Sequence, residues 1–191
     1  MSGHSKWSQI KHQKGASDAA KSRAFAKLGQ FIALESKKAA GNMSSPGLVA
    51  AISRAKEANM PKDTIERAVA KGKSKDAGTL EQVVYEFYGP GGVAIIVDAL
   101  TDNKNRTTQE MKHLITKNGF ELGAQGSAAW AFSKSPNNTS SSSSLSPNEP
   151  LMDLSDDDAA KLEEILSIFD DQEDTQQLYT NARGYERMNE D

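Results

Sequence analysis

The chain has 191 residues, 37% apolar and 26% charged, enough for one ordinary core or two small ones, so a folded protein is expected. It contains no cysteine, which excludes disulfides, thiolate metal centres and cysteine nucleophiles. The longest apolar run, residues 93–97, is too short for a membrane span, and the N-terminal residues carry no apolar signal core.

The formal net charge of −3 hides a division. Residues 1–75 carry 15 Lys and Arg against 5 Asp and Glu, net +10, whereas residues 76–191 carry 8 against 21, net −13. A basic half attracts phosphate backbones and speeds their encounter, and an acidic half limits promiscuous binding. The same pattern also fits two solvated faces whose charges serve only solubility.

Residues 18–40 place Phe25, Leu28, Phe31 and Ile32 at helical spacing, with Lys37 and Lys38 near the end and Gly41 beyond, which predicts an amphipathic helix. A second helix begins at Ser45 and Pro46 with Leu48, Ile52 and Ala55 on its apolar face. A third starts at Pro61, has Asp63 and Glu66 near its positive end, buries Ile65 and Val69 and stops at Gly72. Together they predict a basic three-helix bundle.

The periodicity then changes. Residues 83–88 and 93–99 are rich in β-branched and aromatic side chains, and Gly89, Pro90, Gly91 and Gly92 between them make a hairpin turn. A helix over about residues 105–118 turns Met111, Leu114 and Ile115 inward and stops at Gly119, and a strand follows with Ala128, Trp130 and Phe132 on one face. Residues 133–150 are a low-complexity stretch of Ser, Asn and Pro, read as a linker. Beyond it Leu162, Ile165, Leu166 and Phe169 mark a further helix, and residues 175–180 a returning strand.

The fold class is therefore α+β: the three-helix bundle over residues 1–78, then a small antiparallel α/β sandwich built from 79–132 and completed by the helix and strand of 151–182. Residues 183–191 are expected to fray.

Two constellations invite a functional reading. The first interleaves Lys6, Lys11, Lys14, Lys21, Arg23 and Lys27 with Trp7, His4 and His12. Cations neutralise phosphates, and an indole face stacks on an unpaired base; the alternative packs Trp7 on the bundle and leaves the lysines in water. The second, Asp102, Asn103, Lys104, Asn105, Arg106 and Thr107, runs from a strand end into a helix start, where free N–H groups and Arg106 can hold a phosphate. Equally, Asp102 or Asn105 simply caps that helix.

His4, His12 and His113 lack the spacing of a metal pair, and no metal site is expected. The glycine turn lacks the lysine and hydroxyl of a phosphate loop, and no nucleophile elbow or dinucleotide motif can be read, so neither catalysis nor a cofactor is expected.

The residues Gly3, His4, Ser5, Lys6, Trp7, Ile10, Lys11 and His12 form a recognisable opening. Further on stand Asn59, Met60, Pro61, Lys62, Asp63, Thr64, Ile65, Glu66 and Arg67, then Tyr88, Gly89, Pro90, Gly91, Gly92, Val93 and Ala94. Leu100, Thr101, Asp102, Asn103, Asn105, Arg106 and Thr107 follow, and then Leu122, Gly123, Gly126 and Ser127. Across about residues 3–132 the chain thereby resembles the YebC/PmpR family of transcriptional regulators and ribosome-associated translation factors, whose mitochondrial members activate translation of a cytochrome c oxidase subunit.

The resemblance implies a helical N-terminal domain, following α/β domains, no catalysis and no cofactor. It makes the basic face around Lys6, Trp7, Lys11, His12, Lys14, Lys21, Arg23 and Lys27 the expected nucleic-acid surface, with DNA or ribosomal RNA, and the ribosome itself, as partners. Family members insert a third α/β domain where the serine-rich stretch stands here, and Gln13 replaces a residue that is commonly basic. A cytoplasmic monomer without membrane or small-molecule partners is expected, or a mitochondrial matrix protein if a presequence has been removed. The competing reading is a protein-interaction adaptor that uses the acidic C-terminal half.

Overall fold

A computed structural model describes residues 18–40, 42–74, 80–134 and 145–186. The first described helix, α1 (Asp18–Lys38), lays Ile32, Ala33 and Ser36 against two shorter helices, α2 (Pro46–Glu57) and α3 (Lys62–Lys73). Ile32, Leu48, Ala51, Ala55, Met60, Ile65 and Val69 make the bundle core, and Phe25, Leu28 and Phe31 pack partly buried at its edge. α2 starts on Pro46 without a side-chain cap from Ser45. It ends on Asn59 in the left-handed conformation (φ 59°), with the Met60 N–H donating back to the Ala55 carbonyl.

Gly72 is not the stop that the sequence implies, for α3 runs through it to Lys73. It is buried against α1, where a Cβ would lie 2.3 Å from the Ala33 carbonyl oxygen, so the glycine permits close helix approach.

The second body is a three-stranded antiparallel sheet in the order β1 (Glu81–Tyr88), β2 (Ala94–Thr101), β5 (Thr175–Thr180). β2 is central and buried along its whole length, as its near-continuous apolar run requires. The hairpin register pairs Glu81 with Thr101 and Tyr88 with Ala94, across a turn in which Gly91 and Gly92 take positive φ.

One face of the sheet, with Tyr85, Phe87, Ile95, Val97 and Leu178, packs on α4 (Lys104–Lys117) and α5 (Asp156–Asp170) through Met111, Ile115, Leu162, Leu166 and Phe169. The other face, with Ala94, Ile96 and Tyr179, is covered by Ala128, Ala131, Phe132 and Leu145. The expected α+β class and the C-terminal completion of the sheet are both present.

Three details differ from the sequence reading. Residues 129–131 form a 3-10 turn rather than strand, so Ala128 and Phe132 go inward while Trp130 stands 67% exposed. The stretch read as a linker is structured at both ends: β3 (Phe132–Lys134) pairs antiparallel with β4 (Leu145–Pro147), and residues 135–144 lie outside the described residues. The tail does not fray at residue 182 or 183. Ala182 and Tyr185 are buried, Ala182 bridges to Met152, and the Tyr185 hydroxyl donates to Glu163.

Candidate nucleic-acid interface

Of the expected binding residues, Lys6, Trp7, Lys11, His12 and Lys14 lie outside the described residues. Lys21, Arg23 and Lys27 stand on α1, and its 3.6-residue period separates them. Lys21 is exposed, its ammonium 5.7 Å from the centroid of the Phe25 ring one turn on.

Arg23 and Lys27, also one turn apart, face the α/β body instead. Arg23 Nη2 donates to Asp171 Oδ1 at 3.0 Å, and Lys27 Nζ donates to the main-chain carbonyl of Asp170 and lies 3.4 Å from its carboxylate. Asp170 and Asp171 sit at the C-terminal end of α5, where the helix dipole and the unpaired carbonyls repel anions, and the two cations from α1 offset that repulsion. Gln176 Nε2 donates to Gln30 Oε1 at 3.1 Å along the same seam. Part of the basic patch thus serves the contact between the two bodies, which charge counting alone does not show.

The bundle keeps other exposed cations that the sequence reading did not assign to binding: Lys37, Lys38, Arg54, Lys56, Lys62, Arg67, Lys71 and Lys73. Lys56, Lys62 and Lys73 rim a groove of about 510 Å³ floored by Ile52, Met60 and Val69. Lys38 pairs with the buried Glu35 at 2.9 Å and also contributes attraction at Asp98 of the sheet, whose pKa is pushed up to about 6. Burial raises it, against the bidentate hydrogen bond from Gln82 Nε2 and the Lys38 charge.

The second constellation forms a compact knot. Asn103 caps α4 by accepting from the Arg106 N–H at 3.1 Å, so the cap is Asn103 rather than Asp102 or Asn105. Thr107 is buried and donates to Asp174 at 2.6 Å, while Asn105 is exposed. Arg106 Nη2 lies 3.2 Å from Asp102 and 3.3 Å from Asp174, and Nε lies 4.0 Å from Glu110. The hydrogen bond to Asp174, above all, raises the Arg106 pKa further. A phosphate at this helix start meets three carboxylates already gathered round its only arginine.

Among the described residues, no group of three or more His, Asp or Glu side chains could hold a metal, and no helix is long and apolar enough to cross a membrane.

A basic helical body clasped to a small α+β sandwich defines the class of the molecule. Residues 5–75 match the family model for the TACO1/YebC protein N-terminal domain, and residues 80–137 match that for the TACO1/YebC second and third domain. The chain belongs to the TACO1/YebC family.

Among its relatives, a probable transcriptional regulatory protein of Fervidobacterium nodosum is 49% identical over 136 residues, covering 70% of this chain and 54% of the relative. One of the same description from Dictyoglomus turgidum is 52% identical over 134 residues, covering 69% and 54%. Another from Thermotoga maritima is 43% identical over 170 residues, covering 88% and 62%. The chain spans about half the length of the first two. In three dimensions it resembles the crystal structure of a conserved hypothetical protein from Aquifex aeolicus, with TM-score 0.75, 27% identity, and coverage of 87% of this chain and 91% of that one. The second family match ends at residue 137, so α5 and β5, which complete the sheet, lie beyond it.

Proposed function

We propose that the protein is a nucleic-acid-binding regulator of gene expression that acts by binding rather than by catalysis, with the helical body as its contact surface. The observation that carries the reading is the segregation of charge: residues 1–75 hold 15 cations against 5 acids. Arg54, Lys56, Lys62, Arg67, Lys71 and Lys73 keep their charges exposed on the bundle. Relatives named probable transcriptional regulatory proteins support it at the level of gene regulation.

The contact runs through Lys6, Lys11, Lys14 and Lys21, with Trp7 and His12 shaping it, while Arg23 and Lys27 hold the bundle to the sandwich. The target is a structured RNA surface such as the ribosome, or duplex DNA at a promoter. A small basic module whose described helices show no base-reading set of side chains suits the RNA better. The setting is the cytoplasm.

The test is a salt titration of the whole protein against a structured RNA and a DNA duplex, beside a variant with Lys6, Lys11, Lys14 and Lys21 changed to Glu. Tight binding that weakens steeply with salt and is lost in the variant supports the reading, and the polymer bound more tightly assigns translation or transcription. If neither polymer binds at low salt, the reading fails, and an adaptor using the acidic half replaces it.

A further inference from the structure

Trp130 is 67% exposed, more than any other large apolar side chain among the described residues. An indole left in water on a loose loop is unremarked surface, but this one is built in from three sides. Its Nε1 donates to the Tyr88 hydroxyl at 2.7 Å, and that hydroxyl donates to the Ser127 carbonyl at 2.5 Å. Its own carbonyl accepts from Asn148 Nδ2 at 2.9 Å.

The turn beneath it is pinned by Glu86, a residue 4% exposed whose carboxylate accepts from the N–H groups of Gly126, Ala128 and Ala129 at 2.7, 2.7 and 2.9 Å. A buried carboxylate given three backbone donors fixes the loop as firmly as a helix cap fixes a helix end. The polar atoms of both aromatic rings are satisfied inside the protein, so what Trp130 and Tyr88 offer to the outside is ring surface.

We propose that Trp130, held by Tyr88, is a platform on which an unpaired base of single-stranded or looped RNA stacks, a second contact on the α/β body beside the basic bundle. The inference rests on the nucleic-acid reading above and adds the kind of element bound. A stable protein interface needs about 800 Å² from each partner, whereas one indole face matches one base. The chemistry also calls for a cation within a nucleotide's reach. Lys134 is exposed, pairs with no carboxylate among the described residues, and lies four residues further on, at most about 14 Å along the chain. A duplex hides its base faces in the stack, so the platform discriminates unpaired from paired RNA without reading sequence.

The experiment measures the affinity of the whole protein for a single-stranded uridine-rich RNA 12-mer and for a blunt RNA duplex of the same length, in the wild type and in Trp130→Leu, Trp130→Phe and Tyr88→Phe. Trp130→Leu is expected to weaken the single strand by roughly 5- to 100-fold, the effect of losing one base from an aromatic platform. It should leave the duplex within about 2-fold, as charge contacts predict. Trp130→Phe should restore most of the loss, and Tyr88→Phe, which frees the indole but keeps both rings, should fall between.

In a Trp7→Phe background Trp130 is the sole tryptophan, and its emission should be quenched by the single strand and not by the duplex. If both RNAs bind and Trp130→Leu matches the wild type on both, or the emission does not change at saturation, the platform is overturned while the nucleic-acid reading stands. Self-association in sedimentation that Trp130→Leu abolishes also overturns it, assigning the ring to a second copy of the chain. Failure of every polymer to bind the wild type overturns both.

Discussion

Lys27 of α1 reaches the end of α5 and donates to the main-chain carbonyl of Asp170, a group that the helix itself leaves without a partner. The residues are 143 apart in sequence, and both side chains are largely shielded, at 15% and 22% exposure. Lys27→Ala is therefore expected to lower unfolding stability by about 1.5–3 kcal/mol in urea titrations, the range for a hydrogen bond made by a charged group. Arg23→Ala, whose partner Asp171 is more open, should lose less than about 1 kcal/mol. Equal losses would show that burial at Asp170 adds nothing.

Gly72→Ala should be far more damaging than its chemistry suggests. The new methyl would sit 2.3 Å from the Ala33 oxygen and 2.7 Å from Ser36 Cβ, so α1 and α3 must part. A loss of about 2–3 kcal/mol is expected from overpacking of this kind, although alanine is the better helix former. Thermal unfolding followed by circular dichroism decides it, and a gain in Tm would refute the close approach.

Asp98 makes stability depend on pH in an unusual direction for a carboxylate. Its pKa rises from 3.8 in the unfolded chain to about 6 in the fold, so between those values the folded protein holds a proton that the unfolded chain releases. Stability is then lost as pH rises from about 4 to 6, by up to about 3 kcal/mol when complete. Asp98→Asn keeps an acceptor for Gln82 and removes the buried charge. The variant should be more stable than the wild type at pH 7–8, and this advantage should vanish below pH 4. Parallel stability curves across that range would exclude the account.

Glu86→Gln replaces an acceptor of three backbone N–H groups by a side chain with one acceptor oxygen and a donor amide facing the same groups. The expected result is a loss of about 1–3 kcal/mol and a freer Trp130, seen as lower fluorescence anisotropy in a Trp7→Phe background. A variant that destabilises without loosening the indole would detach the clamp from the ring.

The helices and the hairpin were legible because their signals are local. Ile65 and Val69 recur at the helical period, and the β-branched and aromatic residues 83–88 and 93–99 flank a glycine-rich turn. What escaped was set by contacts distant in sequence. Ala128, Trp130 and Phe132 alternate as a strand would, yet Glu86, some forty residues earlier, draws the intervening N–H groups into a turn and rotates the indole outward. Arg23 and Lys27 carry the charge of a phosphate patch, and only the fold reveals that Asp170 and Asp171 occupy them. At Arg106 the basic residue was visible and Asp174, 68 positions away, was not. Tyr185 falls in the stretch expected to fray because its partners, Glu163 and the Thr180 hydroxyl, lie on other elements.

The pairing of Phe132–Lys134 with Leu145–Pro147 brings the outgoing and returning chain side by side, about 4.8 Å apart, at the rim of the sandwich. Such a rim works as a socket. Its two ends lie as close as those of a folded insertion whose own termini are neighbours, and the three-stranded sheet takes its register from pairs that do not include this rim.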